Sequence, residues 1–230
     1  MSIGVKICGL TDACGLTAAL DSGADLLGFV FFPPSPRNVT VARAGELAAP
    51  ARGKARIVAL TVDADDRTLD AIMAGLEPDL LQLHGGESPA RAAELRTRYG
   101  RPVIKALGVR TAQDVAAAAN YAGAVDLILF DAKPPKGATR PGGLGRAFDW
   151  TLLAGLDLTV PFVLSGGLDP ETVGEAVRIA RPYAVDVSSG VESAPGVKDP
   201  EAVRRFIAEV RKASVGHAAV EAVAEKERIV

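Results

Sequence analysis

Two residues of the 230-residue chain have the chemistry to move protons, and each closes a short apolar run: Cys8 in Val5-Lys6-Ile7-Cys8 and Asp131 in Leu127-Ile128-Leu129-Phe130-Asp131. In an extended strand alternate side chains share a face, so Lys6 and Cys8 point the same way. A cation below a thiol favours the thiolate, the form that acts as base or nucleophile. The alternative use of a free cysteine is as a small buried hydrophobe, which is how Cys14 reads. A carboxyl group ending an apolar strand must be solvated, paired or desolvated. Held protonated in a closed pocket, Asp131 is a general acid. An acid that merely caps a loop is the alternative, and is the reading given to Asp126.

Around this pair stand groups suited to anions. Arg37 follows Phe32-Pro33-Pro34-Ser35-Pro36, and three prolines make a stiff approach. A guanidinium held this way suits a carboxylate or phosphate. Two small turns, Ser165-Gly166-Gly167 and Ser188-Ser189-Gly190, follow later apolar runs, and their backbone amides can approach phosphate oxygens. Asp186 shares a face with Ser188 and could meet a sugar hydroxyl, or else pair with Lys6 or Lys105. His84, closing Gln82-Leu83-His84, is a candidate substrate contact rather than a base. The segment from Lys133 to Gly145 is basic and glycine-rich, as a mobile cover over an anionic ligand would be.

These residues need a frame, and the apolar runs supply it. Strands are predicted at Val5–Cys8, Leu26–Phe31, Arg56–Val62, Leu80–His84, Val103–Leu107, Leu127–Asp131, Phe162–Ser165 and Ala184–Ser188. Near-continuous Val, Ile, Leu and Phe mark strands buried on both faces of a parallel sheet. Helical spacing occupies the intervals, as in Thr17–Ser22, Ala90–Tyr99, Ala112–Tyr121, Pro170–Ala180 and Pro200–Ala213. Asp169-Pro170, Asp199-Pro200 and Ser88-Pro89 read as N-caps followed by first-turn prolines. Eight units in 230 residues approach the about 250 typical of a (β/α)8 barrel. A doubly wound open sheet competes, but no G-x-G-x-x-G follows the first strand. The expected class is therefore α/β, a (β/α)8 TIM barrel in a single domain over 1–212. Residues 213–230 form a C-terminal extension, helical or disordered. In such a barrel the chemistry lies at the strand C-terminal ends, where all the residues above fall.

Composition narrows the partners. Lys+Arg 26 against Asp+Glu 28 gives net −2, with 48% hydrophobic and 23% charged residues. That leaves no electrostatic footprint for nucleic acid or an anionic membrane. Two cysteines and two histidines provide neither a zinc set nor a disulfide framework. The start MSIGVKICGL is too short and polar for a signal peptide. The expectation is a cytoplasmic protein without metal or cofactor, monomer or homodimer. It would perform acid–base chemistry on a small phosphorylated molecule that carries a second anion.

The stretches Lys6-Ile7-Cys8-Gly9, Gly23-Ala24-Asp25, Gly28-Phe29-Val30-Phe31, Ser35-Pro36-Arg37, Gln82-Leu83-His84-Gly85, Phe148-Asp149-Trp150, Leu164-Ser165-Gly166-Gly167-Leu168 and Asp186-Val187-Ser188-Ser189-Gly190-Val191-Glu192 resemble, in order, the phosphoribosylanthranilate isomerases of tryptophan biosynthesis. The resemblance implies an Amadori rearrangement of N-(5-phosphoribosyl)anthranilate. Asp131 would be the general acid and Cys8 the general base. Arg37 would hold the anthranilate carboxylate, Gly166, Gly167, Ser189 and Gly190 the phosphate, and Asp186 the ribose side. Departures are the missing acidic pair at Asp12-Ala13-Cys14-Gly15 and Leu144 in the strand-six loop. The rival functions are a histidine-pathway phosphoribosyl isomerase and a non-catalytic phosphosugar-binding barrel. The first would carry aspartate in place of Cys8, and the second would have lost Cys8 or Asp131.

Overall fold

The computed structural model describes residues 2–133, 142–143, 145, 147–156 and 158–227, with side chains described through residue 214. Most of the expected cover after Lys133, including Leu144, lies outside the described residues.

Eight parallel strands close on themselves in sequence order: β1 Gly4–Cys8, β2 Leu26–Phe31, β3 Arg56–Thr61, β4 Leu80–Leu83, β5 Val103–Val109, β6 Leu127–Ala132, β7 Phe162–Leu164 and β8 Ala184–Val187. Closure comes from β1 pairing with β8, Lys6 opposite Asp186 and Ile7 opposite Val187. Val58, Leu80, Ile104, Ala106, Leu129, Val163 and Ala184 fill the interior. The alternate residues, such as Ile57, Leu81, Ile128 and Phe130, pack under the outer helices in the main core. The expected barrel is therefore the observed one.

The outer elements are α1 Ala13–Asp21, α2 Val41–Ala48, α3 Asp66–Leu76, α4 Pro89–Tyr99, α5 Ala112–Ala116, α6 Val173–Ala180 and α7 Pro200–Glu227. Three differ from the sequence expectation, each for a local reason. The first helix begins at Ala13 rather than Thr17, because the Asp12 carboxylate accepts from Gly15 N at 2.8 Å and caps it. Ala112–Tyr121 is not one helix. After α5, capped by the Thr111–Asp114 box, the chain tightens into a 3₁₀ turn over Ala117–Tyr121. The helix expected from Pro170 starts at Val173, because the Asp169 carboxylate ties Glu171 N and Thr172 N into a preceding turn. After β6 the described residues hold only a 3₁₀ turn, Trp150–Leu153, where the other units have an α-helix. On α7, Val203, Phe206, Ile207 and Val210 are at most 2% exposed, and the helix packs against α1, α6 and β1.

Past β8 the chain makes a 3₁₀ turn, Ser189–Val191, and an antiparallel pair, β9 Glu192–Ala194 with β10 Val197–Lys198. Sequence reading did not foresee this hairpin, and it proves central to the site.

Candidate active site

The floor of the site is made by inward-facing residues of β1, β2 and β8. Lys6 Nζ donates to Asp186 Oδ1 at 2.7 Å, and both side chains are at most 6% exposed. Asp186 Oδ2 accepts from Ser165 Oγ at 3.2 Å. Of the two partners considered for Asp186, Lys6 is the real one. Lys105 points outward and pairs with Glu87 Oε2 at 2.8 Å. Cys8 lies one layer above Lys6. Room for both comes from Gly28, the partner of Cys8 in β2: a Cβ there would stand 2.8 Å from Cys8 Sγ and 3.2 Å from Lys6 Nζ.

The protonation of this floor differs from the sequence expectation. Burial alone pulls the Lys6 ammonium down, but Asp186 and Cys8 outweigh it and leave it more firmly protonated than usual. Burial pushes the Cys8 thiol up; Lys6 pulls it back only in part, and Asp186 opposes that pull. Lys6 therefore does not hold Cys8 as a thiolate, because its charge is already matched by Asp186. With only the protein's own charges around it, Cys8 rests as a thiol.

Across the mouth, Asp131 is the penultimate residue of β6, three strands from β1 by way of β8 and β7. Its Oδ1 accepts from Ala132 N at 2.8 Å, and its Oδ2 lies 3.3 Å from His84 Nε2. His84 Nδ1 meets Gln82 Nε2 at 3.1 Å. That contact orients the ring so that Nε2 faces Asp131. His84 is thus a partner of the carboxyl group as well as a lining residue. Its loop is fixed from below: Asp63 N donates to Glu87 Oε1 at 2.9 Å, Gly85 N to Glu87 Oε2 at 2.9 Å, and Gly86 N to Asp63 Oδ1 at 2.7 Å.

Arg37 is 4% exposed, so it is no surface arginine. Its Nε and Nη2 donate to the two oxygens of Glu192, each at 2.7 Å. Lys198 Nζ reaches the same carboxylate at 2.7 Å. Burial raises the Glu192 pKa, but Arg37 and Lys198 more than reverse it, so the carboxylate stays ionised.

The paired turns come together at the far rim. Gly166, Gly167, Ser189 and Gly190 line one cavity with Cys8, Arg37, His84, Asp131 and Asp186. A Cβ on Gly190 would overlap the carbonyl oxygen of Leu168, so only glycine lets the two turns approach. The space between these residues, counted together with the open solvent at its mouth, is about 820 Å³. Among the described residues no cluster of three or more His, Cys, Asp or Glu could hold a metal ion. None of the described helices is long and apolar enough to cross a membrane.

A family model described as N-(5'phosphoribosyl)anthranilate (PRA) isomerase matches residues 5–209. The chain belongs to the N-(5'-phosphoribosyl)anthranilate isomerase family. A curated isomerase of this name from Rhodopseudomonas palustris (strain BisA53) is 59% identical over 211 residues, covering 92% of this chain and 97% of that protein. The crystal structure of phosphoribosyl anthranilate isomerase from Thermotoga maritima superposes with a TM-score of 0.83 at 36% identity, covering 91% and 99% of the two chains. A phosphoribosyl anthranilate isomerase structure in complex with reduced 1-(o-carboxyphenylamino)-1-deoxyribulose 5-phosphate matches at a TM-score of 0.78 and 33% identity, covering 91% and 99%.

All nine residues singled out from sequence for this isomerase family site line the one cavity. Glu192 and Lys198 were not singled out. The signal for them was Glu192 within the family motif and a second basic residue six positions later. Neither shows, in one dimension, that it turns back onto Arg37.

Proposed function

We propose that this family member isomerises N-(5'-phosphoribosyl)anthranilate to 1-(2-carboxyphenylamino)-1-deoxyribulose 5-phosphate, with Asp131 as general acid and Cys8 as general base. The observation that carries this is the placement of a thiol and a carboxyl group on one cavity, with Arg37 and the Gly166/Gly190 turns on its rim.

Asp131 gives its proton to the ribose ring oxygen. The C1′–O4′ bond breaks with its electron pair going to oxygen, and the anilino nitrogen lone pair forms a C1′=N iminium. The Cys8 thiolate then takes the proton from C2′. The C–H electrons become a C1′=C2′ double bond and neutralise the iminium, giving an enolamine. Loss of the C2′ hydroxyl proton and protonation at C1′ yield the ketose. Asp131 ends one proton short and Cys8 one proton up, so a proton returns from thiol to carboxylate between turnovers. Arg37 takes the anthranilate carboxylate and the glycine turns take the phosphate. Asp186, held by Lys6 and Ser165, faces the ribose. These groups cover every step, so the reading asks for no cofactor.

A base that rests protonated leaves a signature in pH. Three ionisable groups act on Cys8, namely Lys6, Asp186 and Lys198, and burial dominates them all. The thiolate fraction therefore climbs with pH until beyond the usual thiol range of about 8.5. The expected result is a thiolate ultraviolet signal in the free enzyme, taken as the part that Cys8→Ala removes, that is absent at neutral pH and grows only above about 8.5. A Cys8 thiolate already formed at neutral pH would contradict a thiol at rest.

The function itself is tested by complementing a tryptophan auxotroph that lacks this isomerase. Growth is expected. The same gene in a strain lacking the histidine-pathway isomerase tests the rival reading, for which no growth is expected. Rescue of the second strain alone would reverse the assignment.

A further inference from the structure

Arg37, Glu192 and Lys198 form a buried ionic group of two cations and one anion, with side chains no more than 5% exposed. Glu192 Oε1 accepts from Arg37 Nε and Lys198 Nζ, both at 2.7 Å. Its Oε2 accepts from Arg37 Nη2 at 2.7 Å and from Gly196 N at 3.3 Å. Each carboxylate oxygen thus takes two donors, and Glu192 has no capacity left for a ligand. The third arginine nitrogen, Nη1, is turned to the cavity side: a Cβ on Gly143 would stand 2.6 Å from it, and Gly143 and Arg37 both line the cavity.

The hairpin that carries Glu192 and Lys198 is itself anchored. Thr11 Oγ1 donates to Gly196 O at 2.6 Å, tying the hairpin to the loop after β1. Lys198 Nζ also donates to Ser188 O at 3.0 Å, and Ser188 Oγ to Cys8 O at 3.0 Å. The guanidinium is therefore clamped from behind by a fixed element, with one edge presented.

We infer that Glu192, braced by Lys198, is a positioning residue that locks Arg37 with Nη1 toward the cavity and so sets the preference for a substrate whose aromatic amine carries a carboxylate. The inference rests on the role given to Arg37 above. A long cationic side chain free to swing must be ordered when the ligand binds, and one already clamped is not. The group's surplus positive charge is balanced when the ligand brings a single carboxylate.

The test compares wild type and Glu192→Gln on two substrates, N-(5'-phosphoribosyl)anthranilate and N-(5'-phosphoribosyl)aniline, which lacks the carboxylate. Glutamine keeps the volume and one acceptor but breaks the two-oxygen grip. For the anthranilate substrate, KM is expected to rise about tenfold or more with kcat held within about threefold. For the aniline substrate, kcat/KM of variant and wild type should agree within about threefold. Removing an anion beside Arg37 would, through charge alone, tighten carboxylate binding, so a rise in KM reports the lost position. An equal loss on both substrates, or an unchanged or lower KM for the anthranilate substrate, overturns the inference. Thermal melting followed by circular dichroism establishes that the variant is folded. If it is not, Glu192→Asp, which keeps the charge but shortens the reach, is judged by the same criteria. Failure of the wild type to turn over the anthranilate substrate would instead overturn the functional reading, independently of Glu192.

Discussion

Cys8→Ala is expected to give a folded barrel whose turnover of N-(5'-phosphoribosyl)anthranilate falls roughly 10²–10⁴-fold, the usual worth of a general base. In barrier terms this is about 3–5.5 kcal/mol. The fold should survive because the substitution removes one buried atom and strands no charge. Lys6 and Asp186 remain paired with each other at 2.7 Å whether or not the sulfur is present. Binding of the reduced product analogue should stay near wild type, since Arg37 and the glycine turns are untouched. Steady-state kinetics with a melting curve reads both halves. Normal turnover in a folded Cys8→Ala protein would refute the base assignment.

The second large effect is expected from Asp131→Asn. The side chains are nearly isosteric, and the amide oxygen can still accept from Ala132 N as Asp131 Oδ1 does at 2.8 Å. What disappears is the proton for the departing ring oxygen, a poor leaving group without it. A loss of roughly 10²–10⁴-fold in kcat is expected here too. Two comparisons separate this from a binding defect. The open-chain product analogue, whose ring is already broken, should bind Asp131→Asn within about threefold of wild type. His84→Asn, which removes only a partner of the acid, should cost less than loss of the acid itself. A His84 variant as crippled as Asp131→Asn would shift the acid role toward the imidazole.

Much of this was readable in one dimension because barrel chemistry sits where apolar runs stop. Cys8, His84, Asp131 and Ser188 all lie within one residue of the end of a buried strand, and the alternation that put Lys6 and Cys8 on one face holds in three dimensions. Helix starts were less legible. Asp12 was noted as a departure, when its carboxylate was the cap that set the first helix. What sequence could not supply was long-range pairing. Lys6 beside Cys8 suggested a thiolate, yet Asp186, 180 residues away, already claims that charge. Arg37 looked like a solitary anion reader, yet its clamp is Glu192, 155 residues on. Local pattern records burial and turn chemistry, and it carries no record of which distant charge a side chain will meet.

The seam between β1 and β8 has a consequence for how the protein is made. Lys6 precedes its counter-ion by 180 residues, and that counter-ion comes only with the last strand. An unpaired ammonium is costly to bury, so the first strand is stabilised in the barrel only once it lies against the last, with Lys6 on Asp186 at 2.7 Å. A chain ending before β8 would carry Cys8, His84 and Asp131 but neither Asp186 nor the Ser189-Gly190 turn. The floor beneath Cys8 is thus finished by the same strand pair that closes the ring.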